Sequence, residues 1–98
     1  ADVADVFLNV KQPPLTTVEL YFRALSGGSD VDINTVAFTK ATPDTTIPTG
    51  NVFKEVHFAE DPLGSGSSFA QIQFKIVMKS TRSSIVPEIK DFRAICST

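Results

Sequence analysis

Along residues 68–80, SFAQIQFKIVMKS, the apolar side chains of Ala70, Ile72, Phe74, Ile76 and Met78 fall at every second position. Gln71, Gln73, Lys75 and Lys79 stand between them. Strand side chains alternate between faces, so this spacing gives one apolar and one mostly polar face, whereas a helix would scatter the same residues. The pattern predicts a long strand with one buried face, around which other strands supply the matching core.

The same period recurs along the chain. In residues 3–10, Val6, Leu8 and Val10 alternate with Phe7 and Asn9. Pro13 and Pro14 end that strand because proline has no N–H for a ladder. In residues 16–25, Val18, Leu20, Phe22 and Ala24 oppose Glu19, Tyr21 and Arg23. Ser26-Gly27-Gly28-Ser29 reads as a turn, since adjacent glycines reach positive φ at little cost. Residues 30–34 fit a short strand or a loop, and residues 35–40 a third strand with Val36 and Phe38 inward. Residues 41–51, with Pro43, Pro48, Gly50 and several threonines, read as a long loop or an edge segment. A fourth strand over residues 51–60 carries Val52, Val56 and Phe58 on one face, and Lys54 interrupts it as at an end or edge. After a loop at 61–67 and a break at 81–84, residues 87–96 form the last strand, with Phe92, Ala94 and Cys96 opposite Asp91, Arg93 and Ile95.

No window shows helical spacing with caps. The expected fold is all-β, an antiparallel β-sandwich with Greek-key or jelly-roll-like connections and about six to eight strands. A partly open barrel is the alternative. The 98 residues suffice for a single domain over 1–98, with no internal repeat or dividing linker. The chain opens ADVADV without Met, which fits a chain that is processed, trimmed or cut from a longer polypeptide.

Charge narrows the partner classes. The formal net charge is −2 with both signs interspersed, which lacks the basic footprint of nucleic-acid binding. A mild C-terminal bias remains in Lys75, Lys79, Arg82, Lys90 and Arg93. No apolar run is long enough for a membrane-crossing helix, and no signal-peptide pattern opens the chain. The single Cys96 excludes an internal disulfide and a multi-cysteine zinc site; on an apolar strand face it reads as a small buried hydrophobe.

Candidate chemistry is sparse. His57 is the only histidine, and Lys54, Glu55 and Glu60 around it fit a solvated strand face. An enzyme is not expected, for want of a nucleophile, acid/base or metal constellation; a pocket joining His57 to two carboxylates would reopen that reading. Asp30, Asp32 and Asn34 begin like a calcium loop, but Thr35 stands where such a loop needs glycine and Ala41 where it needs a bidentate glutamate. Gly64-Ser65-Gly66 resembles a fragment of a phosphate loop, yet a strand follows instead of a helix. Tyr21, on the polar face of its strand, is the one candidate platform for a sugar. No catalytic, cofactor-binding or metal-ligating residue is assigned.

The C-terminal third carries more specific motifs: Phe74-Lys75-Ile76-Val77-Met78, then Ser80-Thr81, then Val86-Pro87-Glu88-Ile89-Lys90-Asp91-Phe92-Arg93-Ala94-Ile95. This run resembles the closing segment of β-domains in virion structural proteins of T4-like myoviruses, particularly cyanophages. VELYFRALSGGSD at 18–30 and FKEVHF at 53–58 resemble the opening and middle of the same domains. The resemblance implies a non-enzymatic structural or assembly module of a tail or baseplate, made in the host cytoplasm and carried in the virion. Its partners would be other virion proteins or copies of itself, with no cofactor, nucleic acid or membrane involved. A carbohydrate- or receptor-binding adhesin module, facing a host-surface glycan, is the alternative. Gln71, Gln73 and Lys75, with Arg93 on the neighbouring run and Tyr21, are the expected partner-facing surface. Strand addition becomes the natural docking mode if the long strand or the last strand lies at a sheet edge.

Overall fold

The computed structural model describes residues 2–64, 67–82 and 84–97. Its described residues form six strands: β1 (Val3–Lys11), β2 (Thr16–Leu25), β3 (Thr39–Lys40), β4 (Lys54–Glu60), β5 (Gln71–Ser80) and β6 (Glu88–Ser97). A single 3-10 turn, Ile33–Thr35, is the only helical element among them. The strands make two antiparallel three-stranded sheets, ordered β4-β1-β6 and β3-β2-β5. The fold is an all-β antiparallel sandwich. Only β2 and β3 are neighbours both in sequence and in a sheet; every other connection crosses from one sheet to the other.

The alternation read from the sequence sets the facing of each strand. Val6, Leu8 and Val10 of β1 meet Val18, Leu20 and Phe22 of β2, and Val56 and Phe58 of β4 join them in one buried cluster. A smaller cluster of Ala4, Ala24 and Phe69 closes one end. The connection between β1 and β2 is held by buried Gln12, whose Oε1 accepts the Val18 N–H at 2.9 Å. At Pro13–Thr16 the chain reverses with Leu15 at φ +69°, a left-handed conformation that costs a leucine free energy. At the predicted glycine turn, Gly28 takes φ +78°.

Several expectations change. The strand predicted over residues 35–40 shrinks to Thr39–Lys40, and Asp32 caps the 3-10 turn before it by accepting the Asn34 N–H at 3.0 Å. Phe38 lies on the outer face of the β2 sheet, beneath cationic side chains, instead of pointing inward. Val52 falls outside β4 and is exposed. Cys96 is exposed rather than buried. The stretch over 71–80 is an edge strand: it pairs with β2 through all ten positions and has no partner strand on its other side among the described residues. Alternation reports which face a residue takes, and says nothing about where in a sheet its strand lies. β1 and β2 hold the centres instead. Ser65 and Gly66 of the phosphate-loop fragment, and Ser83 of the break after residue 80, lie outside the described residues.

The two sheets stack so that β1 covers β2, and two distinct sides result. On one side residues 41–47 wrap across: the Ala41 N–H donates to the Leu20 carbonyl at 2.8 Å, Pro43 bridges to Phe58, and the Asp44 N–H donates to the His57 carbonyl at 2.9 Å. This is the edge-protecting role expected for a proline-interrupted segment. On the other side β5 and β6 face each other, with the Phe74 and Phe92 rings edge-on at 5.7 Å. No segment covers that side among the described residues. The molecule measures 46 × 25 × 18 Å with a radius of gyration of 14.7 Å. A compact domain of this length has roughly 12.6 Å. Three strands per sheet are too few to enclose the inner faces of both outer strands.

Candidate functional site

Of the residues expected to face a partner, Tyr21, Gln73 and Lys75 come together on the outer face of the β2 sheet. Register places Tyr21 beside Lys75 and Arg23 beside Gln73, with Gln71 next along the same face. Arg93 does not join them. It pairs opposite Phe7 in the other sheet and stands on that sheet's outer face, its guanidinium 4.6 Å from the Phe7 ring.

The Tyr21 surface is a stacked layer. The Arg23 guanidinium lies over the Phe38 ring at 4.2 Å and the Lys75 ammonium at 4.5 Å, and Lys75 also lies 5.2 Å from the Tyr21 ring. Arg23 is held further by donating to Gln73 Oε1 at 2.8 Å, the Val36 carbonyl at 3.2 Å and Asn34 Oδ1 at 3.1 Å. Beside the layer, Glu19 accepts from Lys40 and Lys79, both at 3.0 Å. The hydrogen bond from Lys40, then that from Lys79, lowers the Glu19 pKa to about 2, and the same carboxylate raises Lys79. These cations are thus largely engaged within the chain. Asn34, the third residue of the calcium-like run, spends its carbonyl on Arg23.

His57 stands on the outer face of the β1 sheet and meets two carboxylates. Its Nε2 donates to Asp5 Oδ1 at 2.9 Å, its Nδ1 donates to Asp44, and its ring stacks on Phe7 at 4.6 Å. A carboxylate only accepts, so both ring nitrogens carry protons and the group is an imidazolium. The Asp5 bond, then the Asp44 bond, raises the His57 pKa. Asp5 comes from β1 and Asp44 from the wrapping segment, so the histidine ties that segment down over β4. While both bonds are made, the two ring nitrogens are occupied by Asp5 and Asp44. The depression on this sheet face, lined by Phe7, Asn9, Glu55, Asp91 and Arg93, does not include His57. Sequence reasoning found His57 but not its partners, because Asp5 and Asp44 are brought to it by strand pairing and by the wrap. No group of three or more His, Cys, Asp or Glu suited to a metal occurs among the described residues.

The third candidate is the side where β5 and β6 lie open. Each is ten residues long and, among the described residues, pairs on one edge only. Their inner faces carry Ile72, Phe74, Ile76 and Met78 on β5, and Phe92, Ala94 and Cys96 on β6. Phe74 and Ile76 only flank the core, while Met78 is 53% and Phe92 47% exposed. Apolar inner face and unpaired backbone are therefore presented together, over most of the length of the molecule.

The chain matches no protein-family model, no curated protein and no solved structure.

Proposed function

We propose that this domain is a non-enzymatic assembly module that docks protein chains along its open β5/β6 side, in the tail or baseplate of a myovirus particle. The observation that carries the docking reading is the pair of unpaired ten-residue edges with half-covered apolar inner faces. Backbone N–H and C=O groups at an edge supply affinity to an added strand, and exposed side chains beside them supply specificity. The placement in a virion rests on the motifs of residues 74–95. A glycan-binding reading draws no support from the rings on the outer face, because Phe38 lies beneath Arg23 and Lys75 and a sugar at Tyr21 competes with Lys75.

The test is mass spectrometry of purified particles of a myovirus whose genome encodes this sequence. A copy number that is a fixed multiple of the tail symmetry supports the reading. Particles that lack the chain, or a gene that lies outside any viral genome, contradict it.

A further inference from the structure

The open side has a shape and a charge order that specify what covers it. Two of the four outer edges are already blunted: β3 is two residues long, and residues 41–47 run over β4. The two that remain lie on the same side and face each other through Phe74 and Phe92. We propose that this side is covered by a second copy of the same chain, on a twofold axis through Phe74 and Phe92 that pairs β5 with β5 and β6 with β6. The proposal rests on the reading of β5/β6 as the docking side and adds the partner and the register.

Geometry restricts the axis. Strands of two aligned sheets cross at roughly 30°, so both edges of one molecule can meet their mates together only near the point where they cross. The edge-on contact of Phe74 with Phe92, 5.7 Å between centroids, marks that point. An axis there produces two continuous antiparallel sheets and gathers four phenylalanines at its centre.

The charges select the same register. Antiparallel pairing about Phe92 sets Asp91 opposite the mate's Arg93, twice over. Pairing about Phe74 sets Gln73 opposite the mate's Lys75. β5 and β6 run in opposite directions, so a shift of the axis by one residue toward the C-terminus of β6 opposes Arg93 to Arg93, and a shift the other way opposes Asp91 to Asp91 and Lys75 to Lys75. Like charges directly opposite one another destabilise a sheet. Asp91 and Arg93 line the same outer-face depression. The present partner of Arg93 is Glu55, at 3.9 Å with both side chains well exposed, which is a weak hold. A register irregularity opposite Leu8 and Val10 interrupts β6 beside Asp91, so β5, which is regular throughout, carries the longer pairing.

The experiment is light scattering on the purified chain over a concentration series, with charge-reversed variants whose melting temperatures are checked first. The parent is expected to be a dimer that dissociates on dilution. Arg93→Asp and Asp91→Arg are each expected to weaken dimerisation by about ten- to a hundredfold, and the double variant to recover most of it. If one single variant fails to fold, the other reports the same contact. A parent that stays monomeric to about 1 mM, beyond the weak end of specific affinities, overturns the proposal and leaves docking of a different chain to be judged by the particle analysis. A dimer indifferent to both reversals also overturns it, because the register is then wrong.

Discussion

His57 bridges Asp5 and Asp44 only while its ring carries two protons. Its pKa is raised in the folded chain, so the folded state holds this proton more tightly than the unfolded state does. The bridge therefore stabilises fully below the ordinary histidine pKa of about 6.5 and is lost as pH rises through the raised value. Urea unfolding of the parent and of His57→Gln is expected to show a stability difference that is largest near pH 6 and shrinks in alkaline solution. A difference independent of pH would show that the ring acts through its stack on Phe7 instead. Two phenylalanines separate core from rim. Phe58, 1% exposed, is expected to cost about 3–5 kcal/mol on replacement by alanine. Phe74 only flanks the core, and Phe74→Ala in the monomer is expected to cost about 1–2 kcal/mol, since less surface returns to water. Equal losses would mean that β5 is enclosed more deeply than described. Leu15 stores strain at φ +69°, and Leu15→Gly is expected to raise stability by about 0.5–1 kcal/mol in the same measurement; a loss would show that its side chain holds the turn.

At the level of elements, the outer layer of the β2 sheet is held by stacking more than by ion pairs. Arg23 makes three hydrogen bonds and one ring contact, so Arg23→Ala is expected to lower stability by about 1–2 kcal/mol, measured by denaturant unfolding. No change would mean that Phe38 and Lys75 hold the layer without it. The sequence made the strands legible where side chains alternate, as in β1, β2 and β5, because facing depends only on a period of two. It did not reveal lateral position. Nothing in QIQFKIVMKS distinguishes a strand with two neighbours from one with a single neighbour, and β5 has one. The wrap was legible as an edge segment through Pro43 and Pro48, whereas its clasp through Asp44 and His57 depends on a contact across 13 residues. Arg93 was placed beside Gln73 and Lys75 because their strands are consecutive, but the chain crosses to the other sheet between them.

For the whole molecule, the imbalance between the two sides matters most. One side is sealed by its own chain, from the Ala41 N–H to the Asp44 N–H, and the other presents two long edges over a half-covered core. Such edges are a hazard unless something pairs with them, and within these strands the protection is the β6 irregularity, the charged Glu88, Lys90, Asp91 and Arg93 of β6 and the lysines of β5. Association is proposed to occur on this side. The most direct measurement is amide hydrogen exchange on the purified chain, read strand by strand at low and at high protein concentration. β5 and β6 are expected to gain protection together as concentration rises, while β3, β4 and residues 41–47 stay unchanged. Protection that appears at β3 or β4, or none at β5 and β6 while the mass increases, would contradict it.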